Sequence, residues 1–214
     1  MTVSREFKRK ETRAGKMRLS RANPRLAEIA DAALRMLARE GARGLAHRRV
    51  DRELGFPEGS TSAYFRTRDD LIAAAASRLC ELDFKDMLSR ARRGGAGTRE
   101  AAIDNFAGQT ADTFSEWLSE KTRDRTVARC ELFLESTRDV RVRKIMARTQ
   151  RVFQQQTKAF FRGIGTKDPT RAAAIFVDFA LGLLYGRTTS LSQPVAKQQL
   201  KKLILSTIRT LATD

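Results

Sequence analysis

Apolar residues recur three and four positions apart almost from end to end of this chain, and that periodicity restricts it to helices. Leu26, Ile29, Ala30, Ala33, Leu34 and Leu37 share one helical face, and Leu200, Leu203, Ile204, Ile208 and Leu211 share another near the opposite end. The alternation of a half-buried strand is absent from the sequence. Four prolines and thirteen glycines in 214 residues leave the periodic runs long. The spacing predicts helices over about 23–41, 47–54, a short segment from after Pro57 to near Phe65, 68–90, 98–120, 122–137, 140–163, 169–189, and from Pro194 through Leu211. The expected fold class is all-α. An N-terminal three-helix unit containing a helix-turn-helix is joined by a fourth helix to a C-terminal helical bundle. The run Arg92-Arg-Gly-Gly-Ala-Gly97 reads as a loop. The expected units are an arm over 1–22, the helix-turn-helix unit with its connecting helix over 23–90, and a C-terminal domain over 91–214.

Charge narrows the partners. The formal net charge is +17. Residues 1–22 hold +6 of it without helical periodicity, so they read as a flexible basic arm; residues 23–70 are close to neutral at +1. Such a balance calls for a polyanion, and nucleic acid is the commonest one. Between Val140 and Lys167 there are eight basic residues and no acidic one. A solvated face is the plain reading of that run, with an acidic ligand or DNA phosphates as alternatives. The start of the chain lacks the apolar run of a signal peptide, and Ala172–Tyr185 is too short to span a membrane and contains Asp178. The expectation is a cytoplasmic protein without a membrane partner. Cys80 and Cys130 sit on amphipathic helices as small core residues.

The segment Gly44–Ile72 is the most informative. Val50 and Leu54 form the apolar ridge of one short helix, Gly55 supplies a positive-φ turn, and Phe56 and Phe65 bury against the ridge. The second helix carries Gly59-Ser-Thr-Ser-Ala-Tyr64, a small polar surface that lets a backbone approach base edges in the major groove. Ser60, Thr61 and Ser62 are expected at bases and phosphates, Tyr64 at a phosphate, and Arg66 and Arg68 at the rim. Ala46 leaves the preceding helix without a capping side chain, so His47 or Arg48 is expected to supply a phosphate contact there. His47 is the only histidine, which leaves it no partner for metal or triad chemistry.

The string Gly-Ser-Thr-Ser-Ala-Tyr-Phe-Arg-Thr-Arg-Asp-Asp-Leu at 59–71 resembles the recognition helix of the TetR family of bacterial transcription regulators and its junction with the fourth helix. The likeness covers about residues 24–72; beyond it the chain follows the family in helix order and length only. Many members begin the second helix with Thr, where this chain has Ala46. The resemblance implies a homodimer on a palindromic double-stranded DNA operator, released by a small-molecule effector held in the C-terminal domain.

Ten of the fifteen aromatic residues lie between Phe106 and Tyr185. Core packing is the plain reading; an apolar ligand cavity is the sharper one. Phe106, Phe114, Trp117, Phe133, Phe153 and Tyr185 are the candidate ligand-binding residues, Trp117 and Tyr185 foremost because each joins an apolar body to a donor. The run Thr170–Thr189 is apolar nearly all round, and Gly182 and Gly186 allow close backbone approach. With Val195–Leu211 it resembles the family's dimer-forming helix pair. Phe179, Gly182, Gly186, Leu200, Ile204 and Ile208 are the expected interface residues.

The function expected is a sequence-specific DNA-binding regulator, a repressor in the first instance, with activation left open. No cofactor and no metal are expected. A non-specific nucleoid-type protein fits the basic arm, but an ordered, nearly neutral recognition helix argues for sequence reading. A helical enzyme lacks a catalytic set: there is no Ser-His-Asp group, phosphate loop or metal cluster.

Overall fold

A computed structural model describes residues 23–91, 97–189 and 195–213. The basic arm, residues 92–96 of the expected loop, and Pro194 lie outside them. Every regular element among the described residues is helical.

The helix boundaries follow from identifiable caps. Helix α1 (Pro24–Gly44) starts on Asn23, whose Oδ1 accepts from the Arg25 N–H at 2.9 Å, with Pro24 in the first turn where its missing N–H costs nothing. It kinks at Gly41 and continues to Gly44, slightly past the expected end. Helix α2 (His47–Leu54) begins on Ala46 without a side-chain cap and stops at Gly55, which takes the left-handed conformation at φ 65°. Helix α3 (Ser60–Tyr64) is five residues long. Helix α4 (Arg68–Ala91) opens with a reciprocal capping box: the Asp70 N–H donates to Thr67 Oγ1, and the Thr67 N–H donates to Asp70 Oδ2, both at 3.1 Å.

Beyond residue 96 come α5 (Arg99–Trp117, capped by Thr98), a 3₁₀ turn at Glu120–Thr122, and α6 (Arg123–Glu135). Helix α7 (Val140–Gly163) is capped by Asp139, α8 (Pro169–Thr189) has Asp168 accepting from the Thr170 and Arg171 N–H groups, and α9 (Lys197–Thr213) closes the order. The expected 98–120 helix ends earlier, at Trp117, and the chain turns through the 3₁₀ segment before α6.

Two apolar cores result. The first joins Ile29, Leu34 and Leu37 of α1, Val50 of α2, and Leu71, Ile72 and Leu79 of α4 with Ala128 and Leu132 of α6 and Val142 and Met146 of α7. It therefore draws on chain well beyond residue 90, and α1 packs extensively on α6. The second core joins Ile103, Ala107, Ala111 and Phe114 of α5 to Phe161, Phe176 and Leu184, and to Leu200, Ile204, Ile208 and Leu211 of α9.

This second core corrects one expectation. Leu200, Ile204 and Ile208, expected at an interface between copies, are buried within the subunit against α5. Their three-four spacing reports a buried stripe, and the nearer partner is α5. The outward face of α9 carries Leu203, 43% exposed, with Ser206 and Thr210.

Polar ties fix the N-terminal helices. Arg78 of α4 donates from Nε and Nη2 to the two carboxylate oxygens of Asp31 on α1, at 2.7 and 2.9 Å. Such a paired geometry restrains orientation more than a single hydrogen bond does. Glu53 of α2 accepts from Arg35 at 2.8 Å and from Arg39. Burial pushes the Glu53 carboxyl up, but the two arginines outweigh it and hold it below the usual range. Arg141 at the start of α7 pairs with Asp69 and Asp70 at the start of α4, and with Asp139.

Candidate nucleic-acid interface and effector site

Five residues are too few for a helix to hold itself together, so α3 must be fixed from outside. Asp51 of α2 does this. Its Oδ2 accepts from the Gly59 N–H at 2.9 Å, and its Oδ1 accepts from the Thr61 N–H at 2.8 Å and the Thr61 hydroxyl at 2.5 Å. The carboxylate thus caps α3 across the turn. Gly59, at φ 92°, presents its N–H in a conformation that side chains rarely adopt. Burial pushes the Asp51 carboxyl up, but the hydrogen bonds from Thr61 and Gly59 outweigh it and hold it below the usual carboxylate range.

Thr61 is therefore a correction. The sequence puts it at base edges, yet it is fully buried with its hydroxyl committed to Asp51. One residue in a helix this short must face inward with Phe65, four positions on, and Thr61 is that residue. Asp51 itself escapes the sequence reading. Its signal lies beside the ridge: a carboxylate between Val50 and Leu54 is placed to be buried, and a buried carboxylate needs donors.

The remaining candidates distribute by exposure. Ser62, Ala63 and Tyr64 are exposed, Tyr64 at 44%, and Ser60 is half-buried. The Ser60 hydroxyl donates to the Pro57 carbonyl at 2.6 Å and the Ser62 hydroxyl to the Gly59 carbonyl at 2.8 Å, so both oxygens keep their lone pairs for an incoming donor. Arg48 is exposed and pairs with Glu58 at 2.5 Å; Arg66 is exposed. Arg68 donates to the Ala42 carbonyl and ties α4 to the end of α1. His47 Nε2 lies 2.6 Å from the Phe65 carbonyl oxygen, which makes it a donor there and locks the start of α2 to the end of α3. The uncapped α2 is in this way held by a side chain reaching forward rather than by a cap.

In the C-terminal half, Phe106 stacks on Phe160 with ring centroids 3.9 Å apart and meets Phe176 at 5.6 Å. Phe179 is half-buried 6.3 Å from Phe176. Phe114 and Trp117 stack at 6.1 Å, Phe133 meets the Tyr185 ring edge-on at 5.4 Å, and Phe153 meets Phe84 at 6.5 Å. The six ligand candidates thus fall into separate groups: Phe106, Phe114, Trp117 and Phe153 belong to or pack on the second core, while Phe133 packs on the first core and meets Tyr185 of α8.

Trp117 joins these groups through a polar cluster that periodicity alone does not reveal. Its Nε1 donates to Asp86 at 3.0 Å, Asp86 also accepts from Arg125, and the Arg129 guanidinium lies 4.1 Å from the Trp117 ring centroid. The Trp117 donor is therefore already satisfied. Asp83 and Arg129, both almost fully buried, pair at 2.5 Å. Burial raises the Asp83 carboxyl, only partly countered by Arg129 and Arg125. Burial also pushes the Cys80 thiol up to about 12 and raises the Cys130 thiol, which disfavours the thiolate at both. Among the described residues, no group of three or more His, Cys, Asp or Glu side chains could hold a metal ion, and no helix is long and apolar enough to cross a membrane.

On α8, Gly182 and Gly186 are exposed, and a Cβ added at either would meet nothing within 4 Å. They share an exposed stripe of α8 with Ile175, 42% exposed, and with Asp178, and Leu203 is exposed on the adjacent α9.

A short helix capped across a glycine turn, carried on an all-helical scaffold with a second aromatic-rich core, defines a helix-turn-helix protein of the two-core type. The C-terminal half, residues 101–211, matches the family model described as tetracyclin repressor-like, C-terminal domain. The chain belongs to the TetR family of transcriptional regulators. No curated protein matches the sequence. Among solved structures, a transcriptional regulator from Rhodococcus sp. Rha1 superposes with a TM-score of 0.72 at 18% identity, covering 88% of this chain and 96% of that one. A transcriptional regulator from Saccharomonospora viridis in complex with choline gives 0.72 at 17% identity, covering 87% and 96%. The multidrug binding protein EbrR complexed with ethidium gives 0.62 at 24% identity, covering 85% and 96%. At these identities the likeness is one of fold.

Proposed function

We propose that the chain is a cytoplasmic, homodimeric, sequence-specific DNA-binding regulator, a repressor released from a palindromic operator by a small effector bound in the C-terminal half. The observation that carries this reading is the Asp51 cap. A buried carboxylate with three hydrogen bonds is spent on holding five residues, and those residues present Ser62, Ala63 and Tyr64 outward. The lone pairs of Ser60 and Ser62 suit a donor in the major groove, such as adenine N6 or cytosine N4. Ala63 suits the thymine methyl, and Tyr64, Arg48 and Arg66 suit phosphates. No enzymatic activity is proposed.

Dimerisation is assigned to the outward face of α8 and α9, around Ile175, Gly182, Gly186 and Leu203, where apolar surface is exposed in the single subunit. Effector binding is supported by two of the structural neighbours, complexed with ethidium and with choline.

Selection of bound sequences from random DNA tests the reading. A palindromic consensus is the expected result. Enrichment without a consensus, with affinity falling on every sequence alike as salt rises, would instead identify a non-specific DNA-binding protein.

A further inference from the structure

Polar atoms inside a folded protein almost always have a hydrogen-bond partner, so a group of buried atoms without one points to something that completes them. Three such atoms come from three helices that pack on one another, α6, α7 and α8. Arg129 of α6 is only 3% exposed; its Nη2 donates to Asp83, while its Nη1 has no partner among the described residues. The Tyr185 hydroxyl of α8 is buried without a partner, and its ring rests on Phe133, one turn beyond Arg129 on α6. The Thr149 hydroxyl of α7 is likewise buried without a strong hydrogen-bond partner, beside the weakly bonding Cys80 thiol. Thr149 stands on the stripe Val142, Met146, Thr149 and Phe153, which faces α4 through the packing of Met146 in the first core and of Phe153 on Phe84. Burial raises the Tyr185 hydroxyl, and Arg129 lies near enough to oppose that rise.

The chemistry of these atoms selects a ligand. A guanidinium can only donate, and both hydroxyls can donate. The acidic side chains of the cluster are already engaged, Asp83 by Arg129 and Asp86 by Arg125 and Trp117. What is unsatisfied is donor capacity beside a fixed positive charge, within an aromatic surround. A cation placed here would meet Arg129 with like charge, and the two carboxylates beside it, Asp83 and Asp86, are already paired with arginines.

Resting on the effector-gated reading above, we infer that the effector of this chain is a small aromatic carboxylate. Its oxygens are received by Arg129 Nη1 and the hydroxyls of Tyr185 and Thr149, and its ring lies against Phe133 and Phe153. The carboxylate completes the buried donors, and the charge it brings is balanced by the guanidinium.

The experiment uses the full-length protein and its selected operator. A panel of benzoate, phenylacetate, naphthoate and indole-acetate is compared with benzyl alcohol, benzamide and benzyltrimethylammonium, all at millimolar concentration. Thermal stabilisation and release of labelled operator are both read. Carboxylates are expected to raise Tm and release DNA, and the neutral and cationic analogues are not. Because Arg129 is half of a buried ion pair, its replacement endangers folding. The decisive variants are Tyr185→Phe and Thr149→Val, which keep shape and remove a hydroxyl that has no strong partner in the free protein. Each is expected to leave the free protein's Tm unchanged or higher and to weaken carboxylate binding about two- to twelvefold. No Tm shift with any carboxylate would mean that the three atoms hold only water, and would overturn the inference. So would carboxylate binding that both variants leave intact. Stabilisation and DNA release by the ammonium analogue alone would overturn the ligand class while leaving effector gating in place. Carboxylate stabilisation that both variants weaken, without DNA release, would uphold the site and refute the gating.

Discussion

Replacing Asp51 should do more damage to DNA binding than replacing any residue that touches DNA. In Asp51→Ala the Gly59 and Thr61 N–H groups lose their acceptor and the Thr61 hydroxyl is left buried without one. Loss of a helix cap costs about 0.5–2 kcal/mol, and an unsatisfied buried donor costs about 1–3 kcal/mol. The two are coupled, so about 3 kcal/mol is the combined expectation. If that loss falls on the docking of α3, operator affinity drops roughly a hundredfold per subunit. Asp51→Asn keeps one acceptor and should cost less than half as much. Thr61→Val removes the hydroxyl and keeps the shape; since it acts on the same bonds, the double variant Asp51→Ala/Thr61→Val should fall short of the sum by at least about 0.5 kcal/mol. Operator titration and denaturant unfolding measure both quantities. The reasoning on Asp51 fails if Asp51→Ala binds operator within about threefold of wild type, or if the two single effects add. The pH dependence has a definite sign. The folded carboxyl lies below its unfolded value of about 3.9, so its contribution is complete above that value and is lost as pH falls through the folded one. Asp51→Asn should therefore lose less stability than wild type on acidification below about pH 4.

Tyr64→Phe keeps the exposed ring and removes the hydroxyl proposed to reach a phosphate. It should cost about 0.5–1.5 kcal/mol per subunit, equally on strong and weak operators, in a binding matrix over single-base variants. Gly182→Leu and Gly186→Leu add side chains that meet nothing within the subunit. Sedimentation should show monomers whose helix content is undiminished, and dimers in both variants would rule out this face. Removal of residues 1–22 should lower the slope of log affinity against log salt by about 0.9 for every phosphate that the arm neutralises, with base preference retained. A fragment of residues 23–91 should not fold as a stable unit, because α1 and α4 lose Ala128, Leu132, Val142 and Met146; a cooperative thermal transition for that fragment would contradict this.

The elements are legible in the sequence because each carries its own signal. Asn23, Thr67 and Gly55 mark ends by local hydrogen bonding or local conformation, and the apolar stripes mark faces. What lies beyond reach is which neighbour a stripe meets. Leu200, Ile204 and Ile208 have the spacing of an interface and of an interior stripe alike, and only the position of α5 decides between them. Thr61 is misread for a related reason. Its neighbours Ser60 and Ser62 are chemically similar, and the inward member of the three is set by where Asp51 stands, a hydrogen bond spanning ten residues. The Asp83–Arg129 and Asp86–Arg125 pairs span 46 and 39 residues. No local pattern announces them, since isolated acids and arginines on helices ordinarily read as solvated.

The shared first core bears on how one half of such a protein can influence the other. Were the N-terminal helices to pack only on themselves, a change in the C-terminal half could reach them only through α4. Here α6 lies along α1, and Ala128 and Leu132 fill the same core as Ile29 and Leu37. A close-packed core does not deform smoothly, so a shift of α6 must be passed on to α1 or leave a void. Helix α1 in turn holds α2 through Arg35, Arg39 and Glu53, and α2 holds α3 through Asp51. Arg129 stands on α6 between Ala128 and Leu132, so the side chain with the unpartnered donor shares a helix with two residues of the N-terminal core. Completing or withdrawing a partner at Arg129 acts on a helix whose shift either carries α1 with it or opens a void in the shared core. The path from that atom to the capped α3 is continuous, and each link is a packed side chain or a charged hydrogen bond.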